Sequence, residues 1–233
     1  MCCVHAGNGD HGVKVYKYFR DELKADFLQF IPILEPVDEE LTRFTPECHK
    51  SYDIIPQSVG SEQYGRFLIS IFDEWVRHDV GKVFIQLFDI TLGAWMGQPG
   101  GVCVFAKKCG SAMALEHNGD LYACDHYVFP QFFLGNIHEK PLKELVLLKA
   151  QEDFGKAKFS KLPAYCLECK VRFACNGGCP KNRIASTPDG KEGRLNYLCP
   201  SYKAFFNHVA PYMQQMASLL RSRQPSARIM DLI

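Results

Sequence analysis

The sequence has no excess of charge of one sign and no long basic run. Its 27 Lys and Arg residues nearly balance 26 Asp and Glu residues, for a net charge of +1. Nothing therefore indicates nucleic acid or a membrane surface as a partner. The longest apolar stretches, such as residues 67–72 and 83–88, are far too short to cross a bilayer. No basic segment followed by an apolar run marks a signal peptide, so we expect a cytoplasmic protein.

The sequence also lacks the signatures of several common active sites. Its eight histidines are scattered, without the His-x3-His spacing of a histidine metal site. There is no Walker-type glycine loop for phosphate, and the glycine-rich residues 97–101 are typical of a turn. No chemistry of these kinds therefore competes with that of the cysteines.

Cysteine is abundant and unevenly distributed. Of 11 cysteines in 233 residues, eight fall between Cys103 and Cys199. The apolar fraction of 47% predicts a folded core. Because a reducing cytosol keeps thiols free, clustered cysteines in such a chain are more often metal ligands than disulfides. We interpret Cys2 and Cys3 as structural, since strand alternation turns them to opposite faces, and Cys48 as an ordinary thiol.

The first region, residues 1–98, has an α/β pattern. Val15, Tyr18, Phe19 and Leu23 have helical spacing. Helices are predicted over 13–23 and 61–79, the second capped by Ser61 or a neighbouring residue. Buried strands are predicted over 27–34 and 83–88, and residues 1–5 fit the end of another strand. A loop is predicted over about 35–60. Buried strands separated by helices favour a parallel sheet. The pattern fits either a small complete α/β domain or a fragment that lacks its front half.

The second region, residues 99–233, is rich in glycine, cysteine and short strands. The Asn118-Gly119 pair predicts a hairpin. Helices are predicted over 142–151 and 201–220, with a kink at Pro211 in the second. The apolar stripe of this last helix is interpreted as a packing face rather than a cofactor-binding face.

The eight clustered cysteines form two groups. These are Cys103-x5-Cys109-x14-Cys124 and Cys166-x2-Cys169-x5-Cys175-x3-Cys179-x19-Cys199. Eight thiolates make two sets of four, so one cysteine of the second group must join the first, as in proteins whose ligand runs serve two clusters. Iron–sulfur clusters and structural zinc both use such ligands. The uneven spacing and the prolines after Cys179 and Cys199 favour iron–sulfur, with disulfides a third alternative.

The cysteine spacing resembles that of the SPASM domain of radical S-adenosylmethionine (radical SAM) enzymes. Several stretches are similar to the anaerobic sulfatase-maturating enzymes, and the resemblance runs nearly from end to end. The similar stretches are residues 26–32, 116–127, 134–137, 177–181 and 195–199.

The resemblance implies a fold and an activity. Residues 1–98 would be the C-terminal part of a partial (β/α) radical-SAM barrel, and residues 99–233 a small cysteine-rich α+β SPASM domain with a C-terminal helix. The family oxidises a cysteine or serine in a sulfatase to Cα-formylglycine. The implied partners are an unfolded or nascent sulfatase polypeptide and an electron donor or acceptor protein.

The resemblance also implies roles for individual residues. Asp125 matches the aspartate proposed as general base. Gln29, Phe30 and Ile31 would keep part of an S-adenosylmethionine-binding wall. Two auxiliary 4Fe-4S clusters would accept the electron left on the substrate radical. Their implied ligands are Cys103, Cys109, Cys124 and Cys179 for the first cluster, and Cys166, Cys169, Cys175 and Cys199 for the second.

One family motif is absent. The Cys-x3-Cys-x2-Cys that binds the S-adenosylmethionine-cleaving cluster does not occur, and Cys2-Cys3 lies where the family has an inner barrel strand. We therefore expect a C-terminal fragment that does not cleave S-adenosylmethionine alone; the cosubstrate and third 4Fe-4S cluster would belong to the full-length enzyme. The alternative hypothesis is a non-catalytic, zinc- or cluster-stabilised module that binds a peptide or protein.

Overall fold

The computed structural model describes residues 1–35, 37 and 54–233, which form a mixed α/β structure. Cys48 and most of the predicted loop over 35–60 lie outside the described residues. Within the described part, no helix has both the length and the apolar character needed to cross a membrane.

The strands of the first region pair in parallel, as predicted. Strand β1 (Cys2–Val4) pairs with β3 (Phe30–Pro32), and β2 (Phe27–Leu28) pairs with β4 (Phe84–Ile85). The strand predicted over 27–34 is therefore divided at Gln29 into two short strands with different partners.

The strands of the second region are antiparallel. Strands β5 (Ala114–Leu115), β6 (Asp120–Tyr122) and β7 (Phe133–Asn136) form one sheet. The predicted hairpin joins β5 to β6, and Gly119 has the positive φ of 88° that its turn requires. A further antiparallel pair is β8 (Ala185–Ser186) with β9 (Arg194–Leu195).

Eight α-helices occur in the described residues. They are α1 (Gly12–Lys17), α2 (Gln63–His78), α3 (Gln86–Trp95), α4 (Leu142–Val146), α5 (Lys149–Ser160), α6 (Ala164–Leu167), α7 (Arg172–Cys175) and α8 (Cys199–Arg221). The predictions of α2 and α8 are confirmed. The helix predicted over 142–151 is wrong as one piece, because the extended backbone of Leu148 (ψ 142°) separates α4 from α5.

Three further details of the first region differ from the prediction. Strand β4 ends at Ile85 and α3 starts at once, because Phe88 and Thr91 are buried three residues apart, as on a helix face. Helix α1 buries Tyr16 instead of the predicted stripe, since the chain widens into a π-helical turn over Tyr18–Glu22. The N-cap of α2 is Glu62, a neighbour of Ser61 as predicted, but its side chain makes no capping hydrogen bond.

The largest core lies between α2 and α8. Phe72 contacts Phe88 and Phe205 with ring centroids 5.2 and 6.2 Å apart, and all three rings are fully buried. This core is continuous across residue 98, because α8 belongs to the second region and packs on the first. The division at residues 98 and 99 therefore stays a proposal.

Candidate functional site

Four cysteines from distant parts of the chain converge at the first cysteine set, Cys103, Cys109, Cys124 and Cys179. Cys124 interacts electrostatically with Cys179, and Cys179 with Cys103 and Cys109. Cys124 follows β6, whereas Cys179 follows the turn after α7. The fold thus brings one cysteine of the five-membered group to the three-membered group.

The second cysteine set contains the four other cysteines. Cys166, Cys169, Cys175 and Cys199 all contribute to the wall of one pocket. Cys166 and Cys169 interact electrostatically with both Cys175 and Cys199. Cys199 begins α8, so the helix that completes the main core also places a thiol at this set.

A tight turn separates the two sets between Cys175 and Cys179. Asn176, Gly177 and Gly178 all have positive φ values, of 46°, 74° and 62°. A Cβ atom at Gly178 would lie 2.5 Å from the Nδ2 atom of Asn196, so glycine is required there for space as well as conformation. This turn directs Cys175 to the second set and Cys179 to the first.

Most thiols of the two sets are held in a weakly solvated environment. Burial raises the pKa of Cys124 and of Cys175 to about 12, and that of Cys179 and of Cys199 to about 11. The ten described cysteines are all free. Thiolates bind metals, and a bound metal removes the thiol proton. Two sets of four free thiols, of which all but the exposed Cys103 are at least partly buried, therefore fit two four-thiolate metal groups, either iron–sulfur clusters or zinc.

Helix α5 holds the backbone of the first set in place. The Nζ atom of Lys158 donates to the carbonyl oxygens of Cys103 and Val104, the latter at 2.8 Å, and the amide of Gln151 donates to Gly110. Gly155 lies between Gln151 and Lys158 on α5, and a Cβ atom there would be 2.6 Å from the Cys109 carbonyl oxygen.

These supporting residues on α5 are missing from the sequence prediction. Gln151, Gly155 and Lys158 are all buried, and their spacing of four and three residues is a helix-face signal. Polar residues with this spacing are more often solvent-exposed, so the signal is not specific. Arg183, which lies beyond Cys179, is missing from the prediction as well.

Asp125 lies beside the first set and is exposed. Its Oδ1 atom is 3.1 Å from Cys124 Sγ and accepts a hydrogen bond of 3.1 Å from the backbone N–H of His126. Partial burial raises the pKa of Asp125, but these hydrogen bonds and the charge of His126 outweigh it and hold the pKa below its usual value. The carboxyl group is therefore an ionised acceptor at neutral pH.

The residues of the predicted S-adenosylmethionine wall lie at β3. The Phe30 ring is buried in the main core, 5.3 Å from the Phe67 ring, whereas Gln29 and Ile31 are half-buried. Cys2 and Cys3 pair with Phe30 and Ile31 in the neighbouring strand.

Known proteins resemble this chain over its whole length. A family model for SPASM, an iron–sulfur cluster-binding domain, matches residues 103–170. The serine-type anaerobic sulfatase-maturating enzyme of Bacteroides thetaiotaomicron is 46% identical over 100% of this chain and 56% of its own length. The cysteine-type enzyme of Clostridium perfringens strain 13 is 31% identical over 95% of this chain and 56% of its own length.

Solved structures agree with these matches. Native anSMEcpe with bound AdoMet and Cp18Cys peptide has a TM-score of 0.76 and 32% identity, over 94% of this chain and 57% of that one. Native anSMEcpe with bound AdoMet and Kp18Cys peptide has a TM-score of 0.75 and 31% identity, over 93% and 56%.

Residues 103–170 thus match an iron–sulfur cluster-binding domain of the SPASM class. More narrowly, the chain is a homologue of the anaerobic sulfatase-maturating enzymes. It spans about half the length of the curated relatives it matches.

Proposed function

We propose that this chain is the auxiliary-cluster part of a radical SAM sulfatase-maturating enzyme and binds two 4Fe-4S clusters. The observation that carries the proposal is the grouping of the cysteines. Cys166, Cys169, Cys175 and Cys199 line one pocket, whereas Asp125 and His126 contact Cys124 and Cys179 of the other group. Cys103, Cys109, Cys124 and Cys179 would hold one cluster, and Cys166, Cys169, Cys175 and Cys199 the other.

The clusters would provide a store for single electrons. Because each set offers four thiolates, neither leaves an iron atom open for substrate. The protein's contribution is to bury the thiols, to hold their backbone from α5, and to keep the two sets apart at the turn around Gly177.

The proposed reaction is the oxidation of a sulfatase cysteine or serine to Cα-formylglycine. Support comes from relatives of both serine and cysteine type, and from similar structures with bound peptides. The substrate would be an unfolded or nascent sulfatase polypeptide, with a separate protein as electron partner. Residues 1–98 would form the remaining part of a (β/α) barrel.

Asp125 is our candidate for the general base. Its carboxylate is exposed, ionised and next to the first cysteine set, so a substrate side chain can reach it. Gln29 and Ile31 would contact S-adenosylmethionine through half-buried side chains, while Phe30 would support them from the core. Since the sequence contains no Cys-x3-Cys-x2-Cys, this polypeptide would not cleave S-adenosylmethionine by itself.

The first test is metal analysis of the anaerobically reconstituted chain. Two 4Fe-4S clusters predict about eight irons per chain with equal acid-labile sulfide. One or two zinc ions without sulfide would instead favour a metal-stabilised binding module. The second test is 5′-deoxyadenosine production, which should be absent for this chain and present once an upstream segment with the missing cysteine triad is supplied.

A further inference from the structure

Arg183 is a buried cation with unused hydrogen-bond donors. Its side chain is only 7% exposed, and its Nε–H donates to the Gly177 carbonyl oxygen at 3.3 Å. Neither terminal nitrogen, Nη1 nor Nη2, has a hydrogen-bond partner among the described residues. Burying a charge without partners is unfavourable, so a site that retains one indicates a ligand that completes it.

This guanidinium lies near cysteines of both sets. Arg183 interacts electrostatically with Cys166 of the second set, with Tyr127, and with Cys109 and Cys179 of the first set. Burial lowers the pKa of Arg183 below its usual value, and these groups offset part of that decrease. The buried cation is therefore shared by the two proposed clusters.

The turn between the sets leaves space for this side chain. A Cβ atom at Gly177 would lie 3.0 Å from Arg183 Nη2 and 2.3 Å from a methyl group of Leu162. Gly177 has a φ of 74°, so both conformation and space favour glycine. The segment that sends Cys175 and Cys179 to different sets thus also accommodates the guanidinium.

Lys158 provides an internal comparison. It is 1% exposed, but its ammonium donates to the carbonyl oxygens of Cys103 and Val104. The cysteines that interact electrostatically with Lys158 are Cys103, Cys109 and Cys179, all of the first set. Lys158 therefore has partners within the protein and faces one set, whereas Arg183 has unused donors and faces both.

We propose that Arg183 is a positioning residue shared by both clusters, whose charge and free N–H groups stabilise their reduced forms. This inference rests on the proposed function, since it requires both clusters. Reduction adds a negative charge, which a buried cation stabilises strongly because the local dielectric constant is low. Hydrogen bonds and net charge around the sulfur atoms are known determinants of cluster potential. Arg183 should therefore raise both reduction potentials, whereas Lys158 should raise only that of the first set.

The test is a redox titration of the reconstituted chain, followed by electron paramagnetic resonance. Arg183→Met keeps much of the side-chain volume and removes the charge, while Arg183→Lys keeps the charge. We expect Arg183→Met to lower the equilibrium constant for reduction of both clusters about tenfold, which is about 59 mV for one electron. Arg183→Lys should recover most of this loss. Lys158→Met should lower only the reduction potential of the cluster at the first cysteine set. Arg221→Met, an exposed arginine at the end of α8, is the control and should change neither.

Each outcome decides the proposal. Unchanged potentials in a fully loaded Arg183→Met protein would overturn it, as would loss of iron in both Arg183→Met and Arg183→Lys, since the role would then be one of shape. Loss of iron in Arg183→Met alone, with normal iron and potentials in Arg183→Lys, supports a need for the charge. Zinc without sulfide in the unmodified chain would overturn the proposed function itself, and metal analysis distinguishes that result before any titration.

Discussion

The Nδ1 atom of His126 lies 3.4 Å from the Sγ atom of Cys179, although 53 residues separate them in the sequence. His126 follows Asp125 in the segment after β6, and Cys179 belongs to the second cysteine group along the chain. The contact therefore joins the two groups at the point where one cysteine crosses to the other set, beside the proposed base.

The crossing of Cys179 predicts which cysteine variants behave alike. Cys179→Ala should lose the same cluster as Cys124→Ala, whereas Cys175→Ala, only four residues away, should lose the other. Each variant should retain about four irons. The measurement is iron content with the electron paramagnetic resonance spectrum of the remaining reduced cluster. If Cys179→Ala and Cys175→Ala left the same spectrum, the separation into two sets would be wrong.

The position of Asp125 predicts a large effect on activity and none on the clusters. In an enzyme completed with the upstream segment, Asp125→Asn should lower the rate of formylglycine formation by about 10²–10⁴-fold, the usual range for general bases. Iron content should stay unchanged, because all eight proposed ligands remain. The measurement is peptide oxidation followed by mass spectrometry. Glu139→Gln, at another exposed position, should keep full activity, and a fully active Asp125→Asn enzyme would remove Asp125 from the base role.

The raised thiol pKa values predict an alkaline instability of the metal-free chain. Burial raises the pKa of four cysteines from the ordinary value of 9.0 to about 11 or 12, namely Cys124, Cys175, Cys179 and Cys199. Between about pH 9 and pH 12 the folded state therefore keeps thiol protons that the unfolded state has released. The contribution of these thiols to stability is fully present below about pH 9 and is lost as the pH rises towards 12.

The measurement is the midpoint of urea unfolding of the metal-free chain at pH 8 and 10.5. The midpoint should fall at the higher pH, and it should fall less when the cysteines of the second set are replaced by alanine. The loaded protein should be less sensitive, since ligation has already removed the thiol protons. Equal midpoints for the metal-free chain at the two pH values would contradict this explanation.

Much of the local structure follows from sequence spacing, while the composition of the site depends on long-range contacts. Helix α2 and the hairpin at Gly119 were predictable because their signals lie within a few residues. Spacing alone required that one cysteine cross between groups, but only the resemblance indicated Cys179. Helix α3 was missed because Val83 to Phe88 is short, apolar and equally suited to a buried strand.

The charged residues around the site could not be predicted from local patterns. Lys158 and Arg183 are ordinary cationic positions in the sequence, and their burial is decided by elements far away in the chain. The carbonyl partner of Lys158 lies 55 residues earlier, at Cys103. No periodicity in α5 specifies that partner, so the sequence could not separate a buried lysine from a solvent-exposed one.

The close approach of α2 and α8 predicts a strong effect from one added methyl group. A Cβ atom at Gly65 would lie 2.8 Å from the Cα atom of Ser201, and the Gly65 N–H donates to Ser201 Oγ at 2.7 Å. Because the obstacle is backbone, the two helices would have to separate. Gly65→Ala should therefore destabilise the fold by about 1–3 kcal/mol, as overpacking of a core typically does.

The control is Gly93→Ala in α3, where a Cβ atom meets only the flexible Gln98 side chain, at 3.3 Å. That change should be neutral or stabilise by up to about 1 kcal/mol, since alanine favours the helix. Urea unfolding of both loaded variants measures the difference. If Gly65→Ala were as stable as Gly93→Ala, then α2 and α8 would not be in close contact, and the packing of the last helix on the first region would have to be revised.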